Sequence, residues 1–270
     1  MNLYRGCPHG CIYCDSRSEC YGIEEYERPR GKEDALVILE HELQKKRNKV
    51  VIGLGSMSDT YNPQEKQYEQ TRGALKLLLK YGFGTAIDTK SDLILRDIDL
   101  LKEISQRNNA IVKITVTTPH DELSKTIEPH VCVSSKRFAA IKELSSNGIF
   151  TGILMMPVLP FITDKEEDIC LLVRKAAEHG ARFIYTSMSM TLRDRQRDYY
   201  YCKLDESFPG LKEKYQRYYG NRYDCVVPDH EHLWKVFIEE CERYGILYRM
   251  EDIIQAYKTE TVTTEQLSLF

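Results

Sequence analysis

From residue 49 onward, short β-branched runs alternate with stretches of helical period, and no other feature constrains the fold as strongly. Runs at 50–54, 85–88, 111–116, 152–156 and 182–185 have the length and composition of strands. Segments 33–47, 63–81, 98–107, 134–147 and 165–179 have the apolar spacing of amphipathic helices. A strand, a helix and a second strand return the chain parallel to itself, so repeated units build a parallel sheet covered by helices. Residues 1–4 read as the end of one more strand, which gives six βα units rather than the eight of a closed barrel. The expected architecture is α/β: a partial, open (β/α)6 barrel. That first strand is short, so a start upstream of Met1 stays open.

After residue 185 the pattern changes to helical segments rich in tyrosine and arginine, at 192–202, 206–219 and 230–244, with a last short helix at 250–258. The expected organisation is a barrel over 1–186, a helical C-terminal extension over 187–258 and a flexible tail over 259–270, where the sequence turns polar. At 270 residues and 42% hydrophobic content, one substantial core is the natural outcome. A formal charge of -3 excludes a broadly basic nucleic-acid coat and leaves only a local patch. No run approaches the roughly 18 apolar residues of a membrane span, and the opening MNLYRGCPHG lacks the charged-then-apolar order of a secretion signal. A cytoplasmic protein is expected, without membrane partners.

Nine cysteines in such a chain point to metal ligation, catalysis or plain burial rather than a disulfide framework. Cys7, Cys11 and Cys14 crowd into the segment RGCPHGCIYC, whereas Cys20, Cys132, Cys170, Cys202, Cys225 and Cys241 are scattered. Three thiolates on one glycine-containing loop suit a small iron–sulfur cluster. A cubane normally takes four cysteines, so three leave one iron free to bind something else. Active groups in βα barrels gather after strand C-termini, and this loop follows the first expected strand. The competing reading is structural zinc, which usually draws four ligands from two separated pairs; only His9 and Cys20 lie near enough in sequence to add. Simple electron transfer is another reading, but it needs no barrel of this size.

The spacing C-x3-C-x2-C with an aromatic, Tyr13, before the last cysteine resembles the signature of the radical SAM superfamily. The segments RGCPHGCIYCD, GLGSMSDTYNP, DTKSDLILRD and IEPHVCVSSKRFAAIKELSSNGI together resemble the uncharacterised radical SAM proteins related to spore photoproduct lyase. The resemblance implies a [4Fe–4S] cluster on Cys7, Cys11 and Cys14 that cleaves S-adenosylmethionine reductively to a 5′-deoxyadenosyl radical, with an external electron donor. It further implies that Tyr13 packs on the adenine, that Ser58 and Asp59 meet the methionyl amino end, that Lys90 reaches the methionyl carboxylate and that Thr115 contacts the ribose. Spore photoproduct lyase carries a hydrogen-donor cysteine just before the Ser-Asp pair, where this chain has Ser56. A serine O–H is too strong a bond to replace it, which leaves Cys20 and Cys202 as candidate donors.

Residues 193–224 interleave tyrosines with eight basic and six acidic residues. Cations for phosphates and rings for bases suit DNA or another nucleic acid with a base taken out of the stack. The same composition describes solvated helices with tyrosines turned to a core. At the C-terminus, Gln266, Leu267, Leu269 and Phe270 in QLSLF resemble the pentapeptide that docks on the bacterial sliding clamp. Three functions follow: a radical enzyme on damaged or modified nucleic acid, a radical enzyme on a small molecule or peptide, and a non-enzymatic metal-stabilised binding module.

Overall fold

The computed structural model describes residues 1–265. A short strand, β1 (Tyr4–Arg5), pairs antiparallel with β2 (Arg30–Gly31), and the cysteine loop lies between them. Helix α1 (Ala35–Lys45) leads into the first strand of the main sheet, β3 (Val51–Leu54). The helix expected over 63–81 comes as two pieces, α2 (Glu65–Tyr68) and α3 (Gln70–Tyr81), broken at Glu69 with φ 48°. Glu65 explains the break. Its buried carboxylate accepts the Thr71 and Arg72 amides at 2.9 and 3.3 Å, satisfying donors that open α3. The repeat continues through β4 (Gly84–Thr89), α4 (Ile98–Arg107), β5 (Ala110–Thr115), α5 (Asp121–Ile127), α6 (Ser134–Ser146), β6 (Phe150–Met155), α7 (Glu166–Glu178) and β7 (Phe183–Thr186).

Strands β3 to β7 form one parallel sheet in sequence order, with helices between them: the partial barrel expected, plus C-terminal helices. The sheet has five strands rather than six. The Met1 amino group reaches the Gly53 carbonyl and the Gly55 amide donates to the Met1 carbonyl, so the chain start lies beside β3. It leaves at once to pair with β2, and Gly6, at φ 82°, turns it into the cysteine loop before a sixth strand can form.

Side chains alternate along each strand, so each has a helix-facing row and an inward row. Leu54, Ile87, Val112, Ile114, Ile153 and Ile184 face outward into the main core under the helices. The inward positions align in rows across the register. Ala86, Ile111 and Phe150 make one row; Asp88, Lys113, Gly152 and Phe183 make the next; Thr115, Leu154 and Tyr185 make the one nearest the strand C-termini.

The extension adds β8 (Ser189–Thr191), α8 (Asp194–Ser207), α9 (Leu211–Tyr219), β9 (Asp224–Val226), α10 (His230–Tyr244) and α11 (Met250–Glu265). Strands β8 and β9 pair antiparallel, and α10 packs on α7. Ile253 of α11 joins Ile111, Phe150 and Phe183 in one apolar cluster, so this helix closes the inner face at the strand N-termini. No helix among the described residues is long and apolar enough to cross a membrane. Gln266, Leu267, Leu269 and Phe270 lie outside the described residues.

Candidate active site at the strand C-termini

The cysteine loop is threaded between the Tyr26 backbone and the side chains of Pro129 and His130. Gly6 sits where a Cβ would come within 2.7 Å of the Tyr26 carbonyl oxygen, and that same oxygen accepts the Cys7 amide at 2.7 Å. At Gly10, φ 69°, a Cβ would stand 2.9 Å from the His130 ring. The Ile12 amide donates to Ile127 and the His130 amide to His9, at 3.0 and 3.2 Å, which ties the loop to the segment after α5. Glycine is therefore demanded at both places by close approach as well as by positive φ.

The loop brings Cys7, Cys11 and Cys14 to one cleft that also holds Tyr13, Ser58, Asp59, Lys90 and Thr115. All eight residues picked from the sequence as ligands or cofactor contacts thus line one cavity. Burial pushes the Cys7 thiol up to about 12 and raises Cys11 as well. Buried thiols of that kind reach the thiolate form when a cation bonds them. Among the described residues, no three His, Cys, Asp or Glu side chains are grouped to hold a single metal ion. A tetrahedral zinc with bonds of about 2.3 Å needs sulfurs only about 3.8 Å apart. Three sulfurs lining one cavity form a donor set that suits a cluster, in which each binds a separate iron.

Asp59 organises the rim. One of its oxygens accepts from the Thr89 hydroxyl at 2.6 Å and the Tyr61 amide at 2.9 Å; the other accepts the Lys90 amide at 2.7 Å and faces His9 Nδ1 at 3.5 Å. The Ser58 hydroxyl donates to the Gly6 carbonyl at 2.6 Å, clasping the segment after β3 to the cysteine loop. Burial alone would lower the Lys90 ammonium, but Cys11, Glu128 and Asp59 around it raise it, so it is charged. Its ammonium stands 5.8 Å from the centre of the Tyr13 ring.

Beneath the cleft lies a buried network that sequence reasoning did not assign. The Tyr13 hydroxyl donates to Glu128, and Arg137 pairs with the other Glu128 oxygen at 2.5 Å, both charged side chains fully buried. Arg137 also donates to the carbonyls of Cys132 and Thr115, at 2.7 and 3.1 Å. Tyr26 was missed as well: its hydroxyl is 3.0 Å from the Cys14 sulfur. Glu128 and Arg137 stand in a segment already matched as IEPHVCVSSKRF, so a charged pair within an otherwise core-forming stretch was the available signal; Tyr26 had none.

The remaining positions divide between the cleft wall and the surface. Ser56 is an exposed residue of the cleft wall, with Asn2 Nδ2 3.4 Å from its hydroxyl. Cys20 and Cys202 are exposed and are not among the cleft-lining residues; the Cys202 thiol instead faces Glu206 at 3.6 Å. Several of the residues proposed to touch nucleic acid make bonds or contacts within the chain. Arg193 pairs with Asp15 at 2.6 Å; Arg195 donates to the carbonyls of Arg17 and Ile23, and Arg197 to those of Leu192, Gly220 and Arg222. Tyr200, Tyr201, Tyr215 and Tyr219 are buried together. Tyr218 and Tyr223 stay exposed.

An open parallel barrel with cysteines and a charged lysine at its strand C-termini defines a barrel enzyme built around a metallocofactor. The family model of the radical SAM superfamily matches residues 1–173, and the chain belongs to that superfamily. Its members use a [4Fe–4S] cluster and S-adenosylmethionine. An uncharacterised protein of Mycobacterium tuberculosis is 28% identical over 226 residues, 81% of this chain and 66% of its own length. One from Methanocaldococcus jannaschii is 35% identical over 170 residues, 62% of each chain. This chain thus spans about two thirds of those relatives or slightly less. Among solved structures, a cysteine-to-serine variant of spore photoproduct lyase superposes with TM-score 0.66 at 16% identity, covering 92% of this chain and 74% of the lyase. A lyase variant with bound AdoMet and dinucleoside spore photoproduct gives 0.64 at 15% identity, covering 92% and 74%. At that identity the likeness is one of fold.

Proposed function

We propose that Cys7, Cys11 and Cys14 hold a [4Fe–4S] cluster and that the chain generates a 5′-deoxyadenosyl radical in the cleft between the cysteine loop and the strand ends. The carrying observation is the convergence of three thiols and a charged lysine on one cavity. The cluster, fed by an external one-electron donor, supplies the electron that breaks a carbon–sulfur bond of S-adenosylmethionine. Lys90 binds the methionyl carboxylate by charge and hydrogen bond. Thr115 meets the ribose, and the loop backbone around Tyr13 meets the adenine. Ser58 keeps acceptor lone pairs for the methionyl ammonium. The Asp59 carboxylate accepts hydrogen bonds from the Thr89 hydroxyl and the Tyr61 and Lys90 amides, so it holds the Lys90 turn in place beside the methionyl ammonium it is proposed to meet.

For the substrate we favour a damaged or modified nucleic acid, supported by fold likeness to spore photoproduct lyase over nearly the whole chain. Ser56 argues against the lyase's own hydrogen-return step. The internal use of Arg193, Arg195 and Arg197 favours the alternative, a small-molecule or peptide substrate. The terminal QLSLF is proposed as a sliding-clamp tether. Nine unpaired cysteines suit the cytoplasm.

Anaerobic reconstitution tests the core of this reading. About four irons per chain and dithionite-dependent 5′-deoxyadenosine are expected, and Cys7→Ala, Cys11→Ala and Cys14→Ala should each abolish both. An iron-free protein would leave only the binding-module reading. Salt-dependent preference for ultraviolet-damaged over intact DNA separates the two substrate classes. Equal clamp binding by the intact chain and one ending before Gln266 would remove the tether.

A further inference from the structure

Below the cysteine cleft, the inner face of the sheet lines a second, partly open cavity of about 630 Å³. Its walls are mostly apolar: Ile111, Leu154, Met156 and Tyr185 from the sheet side, with Ile253 and Tyr257 of α11 across the floor. Asp88 lines both this cavity and the cysteine cleft, so the two spaces adjoin at this residue. Lys113, its register partner on β5, places Nζ 2.6 Å from Oδ1, with each side chain 28% exposed.

An ion pair in such a place is a poor stability device. Withdrawing two charges from water costs about as much as their attraction returns, and apolar residues of similar volume would hold the sheet as well. An apolar cavity with a few convergent polar groups is instead the arrangement of a binding site. The pair is neutral as a whole, which does not favour a charged ligand. It presents, side by side, a carboxylate acceptor and an ammonium donor. The complementary ligand carries an adjacent N–H and C=O on an otherwise apolar, flat ring. Space is provided on the β3 side, where nothing lies within 4 Å of the point a Gly53 Cβ would occupy.

The geometry points to Asp88 and Lys113 as the recognition pair for the imide edge of a pyrimidine base, Asp88 accepting its N–H and Lys113 donating to its carbonyl. The assignment rests on the proposed radical chemistry for its purpose, although the binding itself does not. It sets the reacting base below the proposed cofactor contacts Thr115, two residues beyond Lys113 on β5, and Lys90, which directly follows β4.

Calorimetric titration of the reconstituted full chain, with S-adenosylmethionine present, uses thymidine and N3-methylthymidine as probes. Thymidine is expected to bind at least about tenfold tighter, because methylation removes the N–H donor to a charged acceptor. Asp88→Asn and Lys113→Met should each weaken thymidine binding about tenfold and bring the two probes close together. Equal affinities in the unaltered protein, or no thymidine binding at millimolar concentration, overturn the assignment. Tighter binding of cyclo-glycylglycine, which offers lactam edges without a pyrimidine, overturns it in favour of a peptide-like ligand. The probe comparison needs no variant, so a misfolded variant does not blunt it. It also needs no turnover: a chain that discriminates the probes but fails to cleave S-adenosylmethionine contradicts the radical chemistry and leaves the recognition pair standing.

Discussion

The Tyr26 hydroxyl lies 3.0 Å from the Cys14 sulfur, while the Tyr26 carbonyl holds the Cys7 amide at 2.7 Å. One residue, remote from the cysteine motif in sequence, therefore grips two of its members. A hydrogen bond to a cluster thiolate stabilises the reduced, more negative state. Tyr26→Phe keeps the carbonyl and removes the hydroxyl. Its midpoint potential should fall by roughly 50 mV, the one-electron equivalent of about 1 kcal/mol, with iron content unchanged. Electron paramagnetic resonance during a redox titration reads the shift.

Lys90 carries a positive charge into the cleft. Lys90→Met should weaken S-adenosylmethionine binding about 10- to 100-fold, the loss of one charge-assisted hydrogen bond. Cluster absorbance should not change, since among the described residues no cysteine sulfur accepts a hydrogen bond from Lys90. Equilibrium dialysis of the cofactor checks the first claim and the visible spectrum the second.

Glu128 links fold stability to acid. Burial alone would raise its carboxyl, but Arg137 and Lys90 hold it below the usual carboxylate range. A folded-state value below the unfolded one gives stability that is present above the unfolded value, about 4.3, and is lost as pH falls through the folded value. Glu128→Ala, which strands the buried Arg137, should cost about 3–5 kcal/mol at neutral pH. Urea unfolding from neutral to acid pH should show the gap between the two proteins narrowing only below that point.

Arg197 spans three carbonyls of the extension, at 2.8, 2.8 and 2.7 Å. Its removal should destabilise the protein by about 2 kcal/mol, from acceptors left without their charged donor. If it instead contacted phosphate, Arg197→Ala would lower the salt dependence of any DNA binding by about one unit of slope. Thermal unfolding reads the first role and a salt titration of DNA binding the second.

Much of the barrel was legible because its signals are local. Strand runs and amphipathic periods pointed to all five strands of the parallel sheet and the helices α1, α4, α6 and α7 within a few residues. The split at Glu69 was not legible, since it depends on Glu65 capping the following helix through a buried carboxylate. The missing sixth strand depended on where residues 4–5 find a partner, and that partner, Arg30–Gly31, carries no strand pattern.

The sequence by itself determined that three thiols gather at one place, because the three cysteines fall on one short loop whose spacing is independent of the rest of the chain. It likewise determined the order of βα units, because periodicity is read within each segment. Only the tertiary structure decided which polar groups spend their bonding internally. The carboxylate of Asp59 is shared among Thr89, Tyr61, Lys90 and His9; Arg137 is buried against Glu128; Arg193, Arg195 and Arg197, half-exposed, bond to groups of the chain itself. Asp88 and Lys113, 25 residues apart in the chain, meet only through strand register. Burying a charge costs several kcal/mol unless a partner arrives, and that partner comes from whichever element the fold brings alongside.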